Sequence, residues 1–153
     1  MVGEKDIFNK FEQIKKTIEE VKKYKICIGF LNDKSNERKD TNLTNAEIAM
    51  KNNLGVGVPT RPFFTTTMDD NAKKYTDKNA KKIIDNIVQC NKNKVIENYE
   101  DILSRGIEDV KQSIIDWKIP ANSPQTIKRK GKDDPLRDTD QMLNAVGGKV
   151  LKK

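Results

Sequence analysis

All five prolines of this 153-residue chain stand in two stretches, Pro59 and Pro62 in the middle and Pro120, Pro124 and Pro135 toward the end. Proline fixes φ, lacks the amide that a helix or sheet interior needs, and pushes the preceding residue toward extended backbone. Regular structure is therefore expected to fail between residues 54 and 64 and over much of 119–135, leaving two shaped loops.

The first loop carries Val58-Pro59-Thr60-Arg61-Pro62-Phe63-Phe64, and the second carries Pro124-Gln125-Thr126-Ile127-Lys128-Arg129-Lys130-Gly131 followed by Pro135-Leu136-Arg137-Asp138-Thr139. Neither is a nucleophile, metal or phosphate motif. Each sets rigid prolines beside long cations and apolar side chains, a pattern suited to docking on another protein. The expected docking residues are Pro59, Arg61, Pro62, Phe63 and Phe64 in the first loop, and Thr126, Lys128, Lys130, Gly131, Pro135, Leu136 and Thr139 in the second. An interior reading stays open beside it, with the phenylalanines in the core and Arg61 paired to a nearby carboxylate or carbonyl.

Around these loops the periodicities are clearer. Ile7, Phe11, Ile14, Ile18 and Val21 step by four and three, which lines one face of an amphipathic helix and predicts that face to be buried. Tyr24 to Leu31 alternates with period two and predicts a strand. Residues 32–43 have the Asn, Asp and Ser content of an exposed loop. Thr44-Asn45-Ala46-Glu47 is a capping box, so a short helix is expected from 45 to 53, stopped by Gly55. Two longer helices follow, at 69–90 and 95–117, then a helix starting near Thr139 with Asp138 or Thr139 as its cap, and a final strand at 146–151. The expected fold is one α+β domain spanning 1–153: a small antiparallel sheet packed against the N-terminal helix and the two central helices, with two proline-rich loops.

Composition narrows the chemistry. The chain has no histidine and only two cysteines, Cys27 and Cys90, far apart in sequence. Zinc and imidazole acid–base catalysis are thereby set aside, and both thiols read as small packing residues. Gly131-Lys132 lacks the rest of a phosphate-binding loop. Asp133, Asp134, Asp138 and Asp140 lack calcium-loop spacing and are interspersed with cations. No cofactor and no enzymatic activity are expected. No window approaches the ~18 apolar residues of a membrane span, so no membrane partner is expected, and synthesis is expected in the cytoplasm. The net charge is +7, with nine Lys and Arg against four Asp and Glu in residues 118–153. Such a basic end suits an acidic protein surface or nucleic-acid phosphates.

Four short elements in this order resemble the tail-component or tail-completion family of long-tailed bacteriophages, also described as virion morphogenesis proteins. They are Asn52-Asn53-Leu54-Gly55, Pro59-Thr60-Arg61-Pro62-Phe63, Pro124 to Gly131, and Pro135-Leu136-Arg137-Asp138-Thr139-Asp140. The chain departs from the pattern at Asn53, where an acid is usual, at Leu54, where an aromatic is usual, and at Asp140, where the pattern has glycine. The resemblance implies a non-enzymatic virion protein at the head-proximal end of a tail, completing it or joining it to the neck and head. It further implies tail or neck proteins as partners and a homo-oligomeric ring in the particle. A basic module contacting DNA phosphates non-specifically is the alternative.

Overall fold

The computed structural model describes residues 3–153. It is an α+β protein, 62% helical, with six α-helices and one antiparallel pair of strands. In chain order these are α1 (Glu4–Val21), β1 (Tyr24–Phe30), a 3-10 turn (Lys34–Asn36), α2 (Asn45–Leu54), α3 (Phe63–Val88), α4 (Lys92–Asp116), α5 (Pro124–Lys130), α6 (Gln141–Asn144) and β2 (Val146–Lys152).

The local signals explain most boundaries. At the start of α2 the Thr44 hydroxyl accepts from the Glu47 amide at 3.2 Å, and the Glu47 carboxylate accepts from the Thr44 amide at 2.7 Å. Donation from the Thr44 amide and, next, from its hydroxyl holds the Glu47 carboxyl below the usual carboxylate range. The helix ends at Gly55, whose φ of 75° lies in the left-handed region. A side chain there is blocked twice, because an added Cβ would meet Thr60 Oγ1 at 2.1 Å.

The prolines act differently from the sequence-based expectation. Pro62 directly precedes α3, so Phe63 and Phe64 lie in the first turn of a 26-residue helix, not in a loop. Pro124 occupies the first turn of α5, where its missing amide has no helical partner to lose, and Ser123 Oγ accepts from the Thr126 amide as the cap. The basic run Lys128 to Lys130 is consequently helical, with Gly131 as a left-handed C-cap at φ 73°. The residue capping α6 is Asp140, without a side-chain bond to the helix, and it stands in the left-handed region at φ 56°. Its carboxylate is held instead by Arg137.

Where one core is expected from length, the chain gathers into two compact units. The first comprises residues 1–27, 73–105 and 149–153; the second comprises 28–72 and 106–148. Helices α3 and α4 and both strands contribute residues to each. In the first unit Val21, Tyr75, Val95 and Leu103 are buried. Two asparagines are buried with them: Asn79 donates to the Tyr75 carbonyl, while Asn98 accepts from Asn86 Nδ2. In the second unit Phe63, Val110 and Ile114 are packed with Ala49, Leu136, Met142 and Val146, and Phe30, Phe64 and Trp117 rest against them.

The apolar face of α1 is only partly covered. Val21 and Thr17 are buried and Ile14 and Ile18 half-buried, but Phe11 is 62% and Ile7 61% exposed. The expected burial of the whole face is thus corrected. Cover fades toward the N-terminal turns, where Phe8 is also 65% exposed.

The two α2 termini give a graded test of this account. Thr44→Ala should lower unfolding free energy by about 1 kcal/mol, and Gly55→Ala by more, because it combines a left-handed φ with a steric clash. Urea unfolding midpoints measure both; a neutral Gly55→Ala would contradict the α2 terminus described here.

Candidate functional site

The second unit is organised around Arg61. This side chain is only 5% exposed. Its Nε donates to the Pro120 carbonyl at 3.0 Å, one terminal nitrogen to the Ala121 carbonyl at 3.1 Å, and the other to Asn52 Oδ1 at 3.1 Å. The Arg61 amide donates to the Asn52 carbonyl at 2.7 Å, and the Arg61 carbonyl accepts from the Phe63 amide at 2.8 Å. A planar guanidinium supplies divergent donors that a lysine ammonium cannot place in the same way. Burial lowers its affinity for the proton, and the nearby Asp133 charge acts in the opposite direction.

Asn53 does a separate job. Its Oδ1 accepts from the Phe64 and Thr65 amides at 3.0 and 3.2 Å, satisfying two donors at the start of α3. An acid at this position would serve the same amides, so the Asn keeps the acceptor without the charge. The partner of Arg61 is its neighbour Asn52.

The second proline-rich segment is also held by bonds within itself. The Asn122 amide donates to Asp133 Oδ1 at 2.9 Å. Arg129 pairs with Asp138 at 2.6 Å, Lys118 and Lys132 each reach Asp134 at 3.3 Å, and Lys130 Nζ donates to the Asp134 carbonyl. Burial pushes the Lys130 ammonium pKa down. Lysine hydrogen bonds hold the Asp134 carboxyl below its ordinary range, and Arg137 does the same for Asp140 through two bonds of 2.9 and 2.8 Å. Asp134, Asp138 and Asp140 are therefore occupied with cations and Asp133 with the Asn122 amide, and no group of three or more potential metal ligands occurs among the described residues.

The expected docking residues separate into three groups. Arg61, Phe63, Pro135 and Leu136 are buried, with Phe63 fully so, which corrects their assignment as surface anchors. The reason is physical: Phe63 and Leu136 fill the core, and Arg61 donates hydrogen bonds to the Pro120 and Ala121 carbonyls. Pro62, Phe64, Thr126 and Lys130 are half-buried, whereas Pro59, Lys128, Gly131 and Thr139 face solvent. Of the basic run, Lys128 is the cation without an ion pair or hydrogen bond among the described residues.

In the second unit an exposed apolar surface lies beside the first cassette. Leu54, Val56 and Val58 are 60%, 52% and 38% exposed, and they lead directly into Pro59. Leu54 is the last residue of α2, and Val56 and Val58 stand in the bends that follow, separated by left-handed Gly55 and Gly57. Met50, one turn before Leu54 on α2, continues this surface into a cavity of about 180 Å³ lined by Gly29, Phe30, Ala46, Ala49, Met50 and Phe64.

The charge is also redistributed by folding. The first unit holds eighteen Lys and Arg against ten Asp and Glu, a net +8, while the second holds twelve against thirteen, a net −1. The expected basic C-terminal region is split: Lys149, Lys152 and Lys153 join the first unit, and the six cations left in 118–148 stand among four aspartates. No helix of the described residues is long and apolar enough to cross a membrane. No protein-family model, characterised protein or solved structure matches the chain.

Arg61→Lys should destabilise the protein by about 1–3 kcal/mol, since at least one carbonyl loses its donor and one cation loses its geometry. Chemical denaturation of the purified variant measures this. Asp140 gives a pH test: its folded-state pKa is depressed, so its contribution is present above the unfolded value of 3.8 and disappears as pH falls through the lower folded value. Asp140→Asn should therefore lower stability at pH 7 and flatten the acid limb below pH 3.8. Parallel pH-dependent melting curves of variant and parent would contradict the pair's role.

Proposed function

We propose that this protein is a structural subunit at the head-proximal end of a bacteriophage tail, completing the tail or joining it to the neck and head by protein–protein docking. The observation that carries the reading is the linkage of all four family-like elements into one contact network. Asn52 and Asn53 meet the Arg61 cassette, Arg61 holds the residues leading into α5, and α5 is bound to the segment from Pro135 to Asp140. Elements that are separate in sequence thus have a shared physical task, which explains why they would travel together.

Backbone conformation supports the same reading. Gly55, Gly131 and Asp140 occupy the three positions where the family pattern has glycine, and all three have φ between 56° and 75°. Asp is among the few residues that tolerate this region, and the Arg137 pair offsets part of its cost. The Arg61 network then acts as the internal support of a docking surface made by Leu54, Val56, Val58 and Pro59. A non-catalytic subunit needs such a rigid apolar edge, and apolar anchors backed by a fixed framework suit repeated assembly into a ring with tail or neck proteins.

The second reading, a basic DNA-contacting module, draws on the net +8 of the first unit. Its signature would be duplex binding by the isolated protein that falls steeply as salt rises.

Cells producing particles without this protein provide the test, with the gene restored in parallel. Electron microscopy should show filled heads beside unattached or overlong tails, and Leu54→Ser with Val56→Ser and Val58→Ser should reproduce that defect in a folded protein. Normally joined particles in the absence of the protein would overturn the proposed role.

A further inference from the structure

We infer that the apolar cavity of the second unit receives the aromatic turn of α1 from a second copy of this chain, producing head-to-tail association. The inference deepens the assembly role and rests on it for the presence of several copies side by side.

The receptor is concave and its chemistry is simple. Ala46, Ala49, Met50 and Asn53 lie at spacings of three, four and seven residues on one face of α2, opposite Phe30 and Phe64. Gly29 leaves its wall open: a Cβ there would have Phe64 Cζ at 4.0 Å as its contact. At about 180 Å³ the space exceeds the ~150 Å³ apolar cavity that accepts benzene, so a phenyl ring is an occupant of suitable size.

The matching donor is on the same chain. Of the five phenylalanines, Phe63 is buried and Phe30 and Phe64 are half-buried, while Phe8 and Phe11 stand exposed on α1. Ile7 and Phe11 are four residues apart and project from one helical face, with Phe8 three residues before Phe11, which is the spacing of anchors in helix-in-groove recognition. Three large apolar side chains in the first two turns of α1 need cover that the folded chain does not provide.

Charge selects the arrangement. Two copies meeting through their first units would oppose +8 with +8, whereas docking α1 on the second unit of the next copy opposes +8 with −1. The donor and receptor surfaces differ, so the contact is heterologous, and a pair of copies retains one unused receptor on one copy and one unused donor on the other. Assembly then propagates beyond a dimer.

Complementary variants test this directly. Phe8→Ser with Phe11→Ser removes the donor at exposed positions, and Ala46→Leu with Met50→Lys fills and charges the receptor. The parent protein should show mass increasing with concentration in sedimentation at roughly 100 µM, a range that populates contacts of micromolar Kd. Each double variant alone should remain monomeric, and their equimolar mixture should form a dimer and stop there. Continued self-association of either variant, a mixture that stays monomeric, or a monomeric parent would each overturn the inference. Particle morphology reads the tail role separately: self-association by these surfaces with normal particles in the absence of the protein would remove that role and leave the docking intact.

Discussion

A single buried guanidinium holds the second unit in shape. Arg61 satisfies the Pro120 and Ala121 carbonyls and Asn52 with its side chain, while its backbone joins α2 to the start of α3. Two segments about sixty residues apart in sequence are thereby fixed to each other by one residue. A buried charge is costly unless its donors are occupied, and here three of them have near-ideal acceptor distances. The prolines on either side of Arg61 reduce the number of backbone states that must be given up to form this arrangement.

The consequence is a division of labour that the linear sequence conceals. Arginine, phenylalanine and proline clustered in a short cassette resemble an interface hot spot, and the same residue types also build a rigid interior turn. Phe63 is the deciding case. Once Pro62 ends the extended segment, Phe63 begins α3 and its ring enters the core with Val110 and Ile114. Apolar surface beside the cassette is left instead to Leu54, Val56 and Val58, at the end of α2 and in the bends after it, which the sequence presents as a loop preamble.

What was legible follows the locality of the forces involved. The Thr44–Glu47 box, the Gly55 stop, the Tyr24–Phe30 strand and the two long helices arise from neighbours in sequence, and these were readable. Proline at the start of α5 reads in the sequence as a loop marker, because the same fixed φ serves both settings. The exposure of Ile7, Phe8 and Phe11 was not readable, since helical spacing shows which residues share a face and not whether anything covers it. The partners of Arg61 were likewise hidden: a backbone carbonyl has no identity in the sequence, and Pro120 and Ala121 become acceptors only through the fold.

The most direct measurement is native-state hydrogen exchange, comparing the parent protein with Arg61→Met. If Arg61 fastens the two segments, the amides of Val56, Arg61 and Phe63 and that of Asn122 should all be protected in the parent and should lose protection together in the variant. Loss confined to the amides around residue 61, with Asn122 unchanged, would contradict the account by showing that the two segments hold their shape independently.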